Sequence, residues 1–290
     1  MIDGAVPPVV GVVGLGNMGG ALAANLVGSD LDVLTHDVAG PERSPEGATF
    51  VADVAAIARG ADVVVLSLPD GAVSEAVARE IVAASGRRVA HVVDTSTVGV
   101  APARSIAALL EGAGVAYVDA PVSGGVAGAR ARTLSVMVAG PEAACAAVEP
   151  VLAGLSDVRR RVGDRAGMAQ ALKLANNFLS ATALAATSEA VAFGLSVGLD
   201  MGTMLDVLDA SSGRSAATGD KFPNHVLTGR YASGFANSLM AKDLRLYRSA
   251  VAAQGGPAAL GEVTAAVWER FAAAEPGVDF TRIYPFVEGA

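Results

Sequence analysis

The feature that most constrains this chain is a series of short apolar runs, rich in β-branched residues, that recur through its first half. They span residues 8–13, 31–36, 61–67, 91–94, 115–118 and 134–138. Runs that are apolar on both faces and separated by helix-length spacers are typical of a parallel sheet covered by helices. The first half is therefore predicted to be a doubly wound α/β domain.

The second half carries a helical pattern instead. The strand pattern stops near Gly163, and residues 168–197 form one long helical stretch rich in Ala, Leu and Thr. Further helices are expected at 201–210, 238–254 and 258–274, with breaks at 211–213, 221–224 and 255–257. We therefore expect two domains, an α/β domain at 1–165 and an all-α domain at 166–290, joined by the long helix.

Composition excludes several classes of protein. The formal net charge of −8 argues against a nucleic-acid partner, because phosphate binding requires clustered Lys and Arg. The short cluster Arg159, Arg160 and Arg161 is expected to be solvated surface. Hydrophobic residues make up 52% of the chain, but no stretch of about 18 residues lacks a polar or charged interruption. The apolar residues are therefore expected to fill two cores, and no membrane partner is expected.

The N-terminal run and the single cysteine indicate a cytoplasmic protein. The apolar run at 6–13 lacks the basic flank of a signal sequence, since the first basic residue is Arg43. It is expected to be a buried first strand. Cys145 is the only cysteine and can form neither an intrachain disulfide nor a thiolate metal site. His91 and His225 have no partners at metal-ligand spacing, so no metal is expected.

A glycine motif follows the first strand directly. Gly14, Gly16 and Gly19 form a GxGxxG pattern that also opens a helix. Backbone amides at such a helix start can face a diphosphate, although the same glycines could make only a tight turn. In this strand-turn-helix context the motif predicts a Rossmann-type domain that binds a dinucleotide.

The end of the second strand favours NAD over NADP. Asp37 lies about 20 residues after Gly16, where an acidic side chain accepts hydrogen bonds from the adenosine ribose and repels a 2′-phosphate. Val38 follows, where an NADP site often offers arginine. An aspartate that only caps a turn is the alternative. His36 is expected to be an ordinary strand-end residue.

Lys173 is a candidate acid/base on the long helix. Oxidation of an alcohol requires a base, and desolvation could lower the pKa of a lysine from about 10.4 towards neutrality. Asn177 lies four residues on, hence on the same helix face, where it could orient the lysine or a substrate hydroxyl. The alternative is a solvated surface lysine, but here the face is otherwise apolar with Asn176 alongside.

A second candidate site is the loop formed by Ser123, Gly124 and Gly125. It offers a hydroxyl and two unobstructed backbone amides, a small nest suited to a carboxylate. A simple glycine turn is the alternative interpretation.

Five blocks together resemble the motif set of the β-hydroxyacid dehydrogenases. These blocks are GLGNMG at 14–19, DTST at 94–97, DAPVSGG at 119–125, KLANN at 173–177 and KDL at 242–244. The resemblance covers essentially the whole chain, in order. The stretches SSGRS at 211–215, GF at 234–235 and LMAKDL at 239–244 are most similar to the 3-hydroxyisobutyrate branch.

This resemblance implies further roles. Residues 123–125 become the loop that binds the substrate carboxylate. Cofactor contacts are implied for Asn17, Met18, Leu68, Pro69, Thr97 and Lys242. Lys242 and Asp243 are also implied at the substrate, although without the resemblance they would be an ordinary surface pair. A homodimer or homotetramer is expected, built on the helical domain.

Arg132 departs from the family pattern, which commonly has glycine there. It could be exposed on a loop, or it could reach the substrate and change the preferred substrate charge.

The expected reaction is reversible oxidation of a 3-hydroxy acid to its semialdehyde, with NAD as hydride carrier. Alternatives are a reductase of a related semialdehyde such as tartronate semialdehyde, an imine reductase, a 6-phosphogluconate dehydrogenase relative, and a non-catalytic NAD-binding regulator. Lys173 argues against an imine reductase, the modest C-terminal domain against the 6-phosphogluconate relative, and the retained lysine and SerGlyGly loop against a regulator.

Overall fold

The computed structural model describes residues 7–289, and the chain divides into two compact units, residues 1–173 and 174–290. Val6, at the start of the first apolar run, lies outside the described residues. Within them, the first unit is built on a nine-stranded sheet. Its strands are β1 (Val10–Val13), β2 (Val33–His36), β3 (Thr49–Phe50), β4 (Val63–Leu66), β5 (His91–Asp94), β6 (Ala116–Asp119), β7 (Val122–Ser123), β8 (Ser135–Ala139) and β9 (Val158–Gly163).

The strand order confirms the doubly wound α/β fold. The order is β3-β2-β1-β4-β5-β6-β8-β7, with β9 paired to β8, and every pairing from β3 to β6 is parallel. The helices of this unit are α1 (Asn17–Val27), α2 (Val54–Gly60), α3 (Gly71–Ala83), α4 (Val100–Glu111), α5 (Gly125–Arg130), α6 (Glu142–Ala147) and α7 (Glu149–Leu155), with a 3-10 turn at Pro41–Arg43.

Alternate residues of the central strands fill two separate cores. Val12 and Val65 pack on one side of the sheet with Leu22 of α1. On the other side, Val64 packs with residues of α2, α3 and α4, among them Ile106. Both faces of the sheet are therefore buried, which is why these strands are almost continuously apolar. The six predicted strands are all present.

The sheet departs from the prediction at one edge. The pairings of β8 with β6 and with β7 are antiparallel, whereas β9 runs parallel to β8. The two-residue strands β3 and β7 and the arginine-rich β9 were not predicted, because two residues show no periodicity and the arginines of β9 are not apolar. Arg160 and Arg161 are exposed as expected, but Arg159 forms an ion pair with Glu149.

The second unit is helical. The long helix α8 (Met168–Ser196) begins in the first unit and continues into the second. It is followed by α9 (Met201–Asp209), a π-helix (Ala217–Val226), α10 (Asn237–Ala253), α11 (Ala259–Ala274), a 3-10 turn (Phe280–Arg282) and α12 (Ile283–Glu288). Its core contains the buried aromatic residues Phe222, Trp268 and Phe271. The length and hydropathy of α8 would suffice for a membrane span, a property that core helices share.

The break predicted at 221–224 is wrong. These residues lie inside the π-helix, with Pro223 in its interior. Proline has no backbone N–H to donate, and the wider i→i+5 turn avoids the clash that a proline ring makes in an α-helix. Buried Phe222 holds this turn to the core.

Candidate active site

The glycine motif forms a tight strand-turn-helix junction between β1 and α1. Gly14 has a φ of 93°, and a Cβ there would overlap the Ser67 carbonyl oxygen. A Cβ on Gly19 would overlap the carbonyl oxygen of Gly14. A Cβ on Gly16, by contrast, would meet nothing within 4 Å. Two glycines are thus required by packing, and the third leaves open space at the helix start, as a bound diphosphate requires.

A cavity of about 460 Å³ adjoins the start of α1. It is lined by Leu15, Gly16, Asn17, Gly20, Ala21, Ala24, Asn25, Arg43 and Arg130. The helix N-terminus and the two guanidinium groups give this surface a positive potential, which fits an anionic dinucleotide. Asn17 is therefore at the cavity, whereas the side chain of Met18 packs against the core.

Asp37 is tied to the glycine turn. Its Oδ2 accepts the amide of Leu15 at 2.5 Å and its Oδ1 accepts the amide of Ala39 at 2.8 Å. Each carboxylate oxygen retains a lone pair for a further donor. Val38 is 99% exposed, and His36 ends β2 with its Nδ1 3.1 Å from the carbonyl oxygen of Val51.

The loops after β4 and β5 meet at the same edge of the sheet. The amide of Leu68 donates to the Ser96 hydroxyl at 2.8 Å, and the Ser96 amide donates to Asp94 Oδ1 at 2.9 Å. Pro69 follows Leu68 shortly before α3, while Thr97 follows Ser96. The carboxyl ends of β1, β2, β4 and β5 thus bring together the first-unit residues predicted to bind the cofactor, whereas Lys242 lies on α10 of the second unit.

The loop of Ser123, Gly124 and Gly125 joins β7 to α5. Gly124 has a φ of 134° and Gly125 a φ of 68°, values that favour glycine. A Cβ on Gly124 would lie 3.1 Å from Leu134 Cδ2, tighter than an ordinary contact. The sequence of a hydroxyl residue and two such glycines at a helix start presents polar donors without side-chain obstruction.

Lys173 lies in the first turns of α8 and is only 7% exposed. A buried ammonium is uncommon unless it has a functional or structural partner, so the interpretation as a solvated surface lysine is excluded. Asn177, four residues on, is 5% exposed. The two side chains lie on one face of the continuous helix.

In the second unit, Asn177 is held by α10. Its Nδ2 donates to Asp243 Oδ2 at 2.6 Å, and Asp243 is 2% exposed. Lys242 forms an ion pair with Asp243, with 3.3 Å between Nζ and Oδ1. Phe178 stacks on Tyr247, with ring centroids 4.5 Å apart, and this packing fixes the register of α8 against α10. Lys242 is half-buried and Asp243 is buried, so the two do not form an ordinary surface pair.

A buried polar network lies beneath the start of α8, and sequence reasoning did not find it. Asp119 Oδ2 accepts the amides of Gly167 at 2.9 Å and Gln170 at 3.2 Å. The Gln170 Nε2 donates to Asp119 Oδ1 at 2.8 Å and to the Ser96 carbonyl at 3.0 Å. Burial raises the pKa of both Asp119 and its cross-strand neighbour Asp94 to about 6. The one available signal was a polar Gln170 one turn before Lys173.

Arg132 lies in the turn after α5, with a side chain that is half-buried rather than fully exposed. Its guanidinium group donates to the carbonyl oxygens of Ala153 at 2.7 Å and Gly154 at 2.8 Å, at the end of α7, and to the Ser29 hydroxyl at 3.0 Å. It also lies 3.4 Å from the carbonyl oxygen of Asn25 in α1. Arg132 thus caps helix C-termini. Its φ of 59° accounts for the glycine commonly found there.

The acidic, histidine and cysteine side chains of the described residues are dispersed. Residues 7–289 contain no group of three or more His, Cys, Asp or Glu side chains that could hold a metal ion. Cys145 is buried, and desolvation raises the pKa of its thiol, which makes it a poor nucleophile.

Comparison with known proteins identifies the family. Residues 9–163 match the NAD-binding domain of 6-phosphogluconate dehydrogenase, and residues 167–287 match the NAD-binding domain of NADP-dependent 3-hydroxyisobutyrate dehydrogenase. The chain is 36% identical to a probable 3-hydroxyisobutyrate dehydrogenase of Mycobacterium tuberculosis, over 94% of this chain and 96% of that one. It is 32% identical to the human mitochondrial 3-hydroxyisobutyrate dehydrogenase, over 96% of this chain and 86% of the relative.

A solved structure agrees along the whole chain. The M. tuberculosis 3-hydroxyisobutyrate dehydrogenase with L-serine superposes with a TM-score of 0.91 at 34% identity, covering 97% of this chain and 99% of that one. Together with the glycine junction, these matches show that the chain is an oxidoreductase that uses a nicotinamide dinucleotide. It belongs to the β-hydroxyacid dehydrogenase family.

Proposed function

We propose that the chain oxidises a small 3-hydroxy acid of the 3-hydroxyisobutyrate type to its semialdehyde, with Lys173 as the acid/base. The observation that carries this proposal is the burial of Lys173, at 7% exposed, on a helix face shared with Asn177. A buried amine can accept the hydroxyl proton as hydride leaves the carbon. Asn177, held by Asp243, supplies a fixed amide that orients the reacting groups.

The cofactor supplies the hydride acceptor. Gly14, Gly16 and Gly19 would hold its diphosphate at the start of α1, helped by Asn17, with Met18 setting the packing of that helix. Leu68, Pro69, Thr97 and Lys242 are assigned to the remainder of the cofactor. These residues bind and orient it and do not take part in proton transfer.

The substrate carboxylate is assigned to the loop of Ser123, Gly124 and Gly125. One hydroxyl and two amides can accommodate an anion without a full opposite charge, since preorganised donors replace its lost water. We also assign Lys242, which forms an ion pair with Asp243, to the substrate. Together these groups select a small acid over a neutral alcohol.

We assign NAD as the preferred cofactor because Asp37 offers only acceptor oxygens. A ribose 2′-hydroxyl can donate to Asp37, whereas a 2′-phosphate would meet like charge beside exposed Val38. The C-terminal family match carries the description NADP-dependent, so the preference of this chain depends on Asp37 itself.

A purified-enzyme screen tests the proposed reaction. 3-Hydroxyisobutyrate, 3-hydroxypropionate, glycerate and serine are each oxidised with NAD and with NADP, and tartronate semialdehyde is reduced in the reverse assay. The highest kcat/KM is expected for a 3-hydroxy acid with NAD. A clear preference for tartronate semialdehyde would instead assign the chain as a reductase, and binding of NAD without any turnover would assign it as a regulator.

An apolar row along α8, exposed except at half-buried Ala183, supports a homo-oligomer. Leu179, Ala183, Ala186, Ala190 and Phe193 follow one another in steps of four and three residues, the spacing of a helix-pairing seam. Leu179 is 65% exposed and Phe193 is 70% exposed. Antiparallel pairing with a second copy sets Ala183 opposite Ala186 and Leu179 opposite Ala190, so that Leu179 faces a small residue. We therefore propose at least a homodimer through α8.

Light scattering after size exclusion tests this seam. Ala186→Glu places a charge in its centre and should give monomers, whereas Ala273→Glu, at an exposed position on α11, should not. Monomeric wild-type protein at micromolar concentration would rule out the seam. We also propose a cytoplasmic location, without nucleic-acid or membrane partners, on the basis of the acidic net charge and the single buried cysteine.

A further inference from the structure

Gln170 occupies a position where one side chain contacts three different elements. It is fully buried, at 0% exposed, in the first turn of α8. Its Oε1 accepts the amides of Val98 and Gly99, each at 3.0 Å. Its Nε2 donates to the Ser96 carbonyl and to Asp119 Oδ1. Both acceptor lone pairs and both amide hydrogens are therefore used.

The contacts of Gln170 bracket Thr97. The carbonyl on one side of Thr97, from Ser96, and the amide on its other side, from Val98, both bind the same glutamine. Ser96 in turn accepts the amide of Leu68 through its hydroxyl. One buried side chain thereby fixes the backbone of the loop assigned to the cofactor.

Asp119 fixes the start of α8, on which Gln170 lies. Its carboxylate accepts the amides of Gly167 and Gln170, which have no partner in the preceding turn of the helix. A negative charge at a helix start is stabilised by the helix dipole. Because Asp119 lies on β6, this strand sets the rotation of the first turn of α8 and its position along the helix axis. It thereby also sets the position of Lys173, three residues after Gln170.

The polarity of the network allows only one arrangement. If the Gln170 amide were flipped, its Nε2 would face the two N–H groups of Val98 and Gly99, and its Oε1 would face Asp119. Two donor–donor contacts and two acceptor–acceptor contacts, with Asp119 and with the Ser96 carbonyl, would result, each costly in a buried site. The network therefore holds its members in a single geometry.

We infer that Gln170 and Asp119 are positioning residues that fix Lys173 relative to the cofactor loop at Ser96–Gly99. They hold the proton acceptor at a set distance from the hydride acceptor without touching either the substrate or the cofactor. This inference rests on the proposed role of Lys173. A displacement of about 1 Å at such a site typically costs about 10²-fold in rate.

Two variants of Gln170 test the inference. Gln170→Leu removes all four hydrogen bonds at similar volume. Gln170→Glu keeps the acceptor for Val98 and Gly99 but turns the other oxygen towards Asp119. We expect Gln170→Leu to lower kcat about 10 to 10²-fold, with KM and the Kd for NAD changed less than about threefold. We expect Gln170→Glu to recover kcat relative to wild type as the pH falls, because a proton shared between the introduced carboxylate and Asp119 restores the missing donor.

Ser156→Ala is the matched control. Ser156 is also 0% exposed in the first unit, and its hydroxyl bonds to the carbonyls of Arg132 and Leu134. Its loss should lower the free energy of unfolding while leaving kcat and its pH profile unchanged. A similar fall in kcat for Ser156→Ala and Gln170→Leu would show that general destabilisation is the cause.

A readout without turnover completes the test. Hydrogen–deuterium exchange of peptides covering 167–173 should accelerate in Gln170→Leu and Asp119→Asn but not in Ser156→Ala, all without cofactor. Wild-type exchange and wild-type kcat in both network variants would overturn the inference. Full activity of Lys173→Ala would instead overturn the proposed function, so the two failures are distinguishable.

Discussion

The carboxylate of Asp37 and the backbone amide of Leu15 lie 2.5 Å apart, which joins the end of β2 to the glycine turn. The residue proposed to select the cofactor therefore also shapes the loop proposed to bind it. Asp37→Asn keeps an oxygen for the Leu15 amide but removes the charge.

We expect Asp37→Asn to lower the ratio of kcat/KM for NAD to that for NADP by about tenfold or more, because the repulsion of the 2′-phosphate is lost. Adding Val38→Arg, at a side chain that is 99% exposed, should shift the ratio further. The measurement is kcat/KM with both cofactors. A wild-type enzyme that uses NADP as well as NAD would show that Asp37 does not bind the ribose.

The hydrogen bond between Asn177 and Asp243 predicts that a second carboxylate at position 177 lowers both stability and kcat. Asn177→Asp would place two buried carboxylates at the 2.6 Å separation that now joins amide and carboxylate. Since like charges at this distance cannot both ionise, we expect a loss of stability and of kcat at neutral pH, with partial recovery as the pH falls. Ala273→Asp, which adds the same charge at an exposed position on α11, is the control. Equal behaviour of the two variants in urea unfolding and kinetics would contradict the expectation.

Arg132 is predicted to affect stability rather than substrate choice. Arg132→Ala loses charged hydrogen bonds to helix ends and keeps the unfavourable φ of 59°, so the free energy of unfolding should fall by about 2 kcal/mol. Arg132→Gly should lose about 1 kcal/mol less, because glycine adopts this conformation freely. Both variants should keep the wild-type KM for the acid in steady-state kinetics. A KM raised tenfold in Arg132→Gly would return Arg132 to the substrate site.

The buried carboxylates predict an unusual pH dependence of stability. Burial raises the pKa of Asp94 to about 6, from 3.8 for the exposed side chain. Between these values the folded state binds more protons than the unfolded state, so stability falls as the pH rises from about 4 to about 6. For one independent carboxylate the loss is at most about 3 kcal/mol. His91 acts in the opposite direction, since burial lowers its pKa below 6.5.

Asp94→Asn isolates this contribution. An asparagine can still accept the Ser96 amide and can donate to the Tyr117 hydroxyl, which now donates to Asp94 at 3.3 Å. Urea unfolding at pH 4.5 and pH 6.5 should show wild type losing stability relative to Asp94→Asn as the pH rises. A constant difference between the two proteins would mean that Asp94 titrates alike in both states. His91→Gln serves as the control for the opposing histidine.

Local pattern was sufficient for the regular elements of the fold. The strand at 61–67 was predictable as a short, continuously apolar run, and the helix at 168–197 as a long uninterrupted stretch of helix-forming residues. Strand β9 was missed because Arg159, Arg160 and Arg161 hide its pairing with β8. The π-helix was missed because Pro223 normally ends a helix, and its retention depends on tertiary packing of Phe222.

The candidate site was predictable only where its residues form motifs. The spacing of the glycines predicted a turn between a strand and a helix. The spacing of Lys173 and Asn177 predicted that they share one helix face. The partnership of Asp119 with Gln170 spans 51 residues and follows from sheet order, which no local pattern encodes. The helix-end contacts of Arg132 were not predictable for the same reason, since its acceptors lie in α1 and α7.

Proton transfer by Lys173 is tested most directly by the pH dependence of kcat for wild type, Lys173→Ala and Lys173→Arg with NAD and 3-hydroxyisobutyrate. We expect wild-type oxidation to rise with pH as the amine loses its proton. Lys173→Ala should lower kcat by about 10² to 10⁴-fold while the Kd for NAD is retained, and Lys173→Arg should restore little because arginine keeps its proton. Near-normal kcat in both variants would show that Lys173 is not the acid/base.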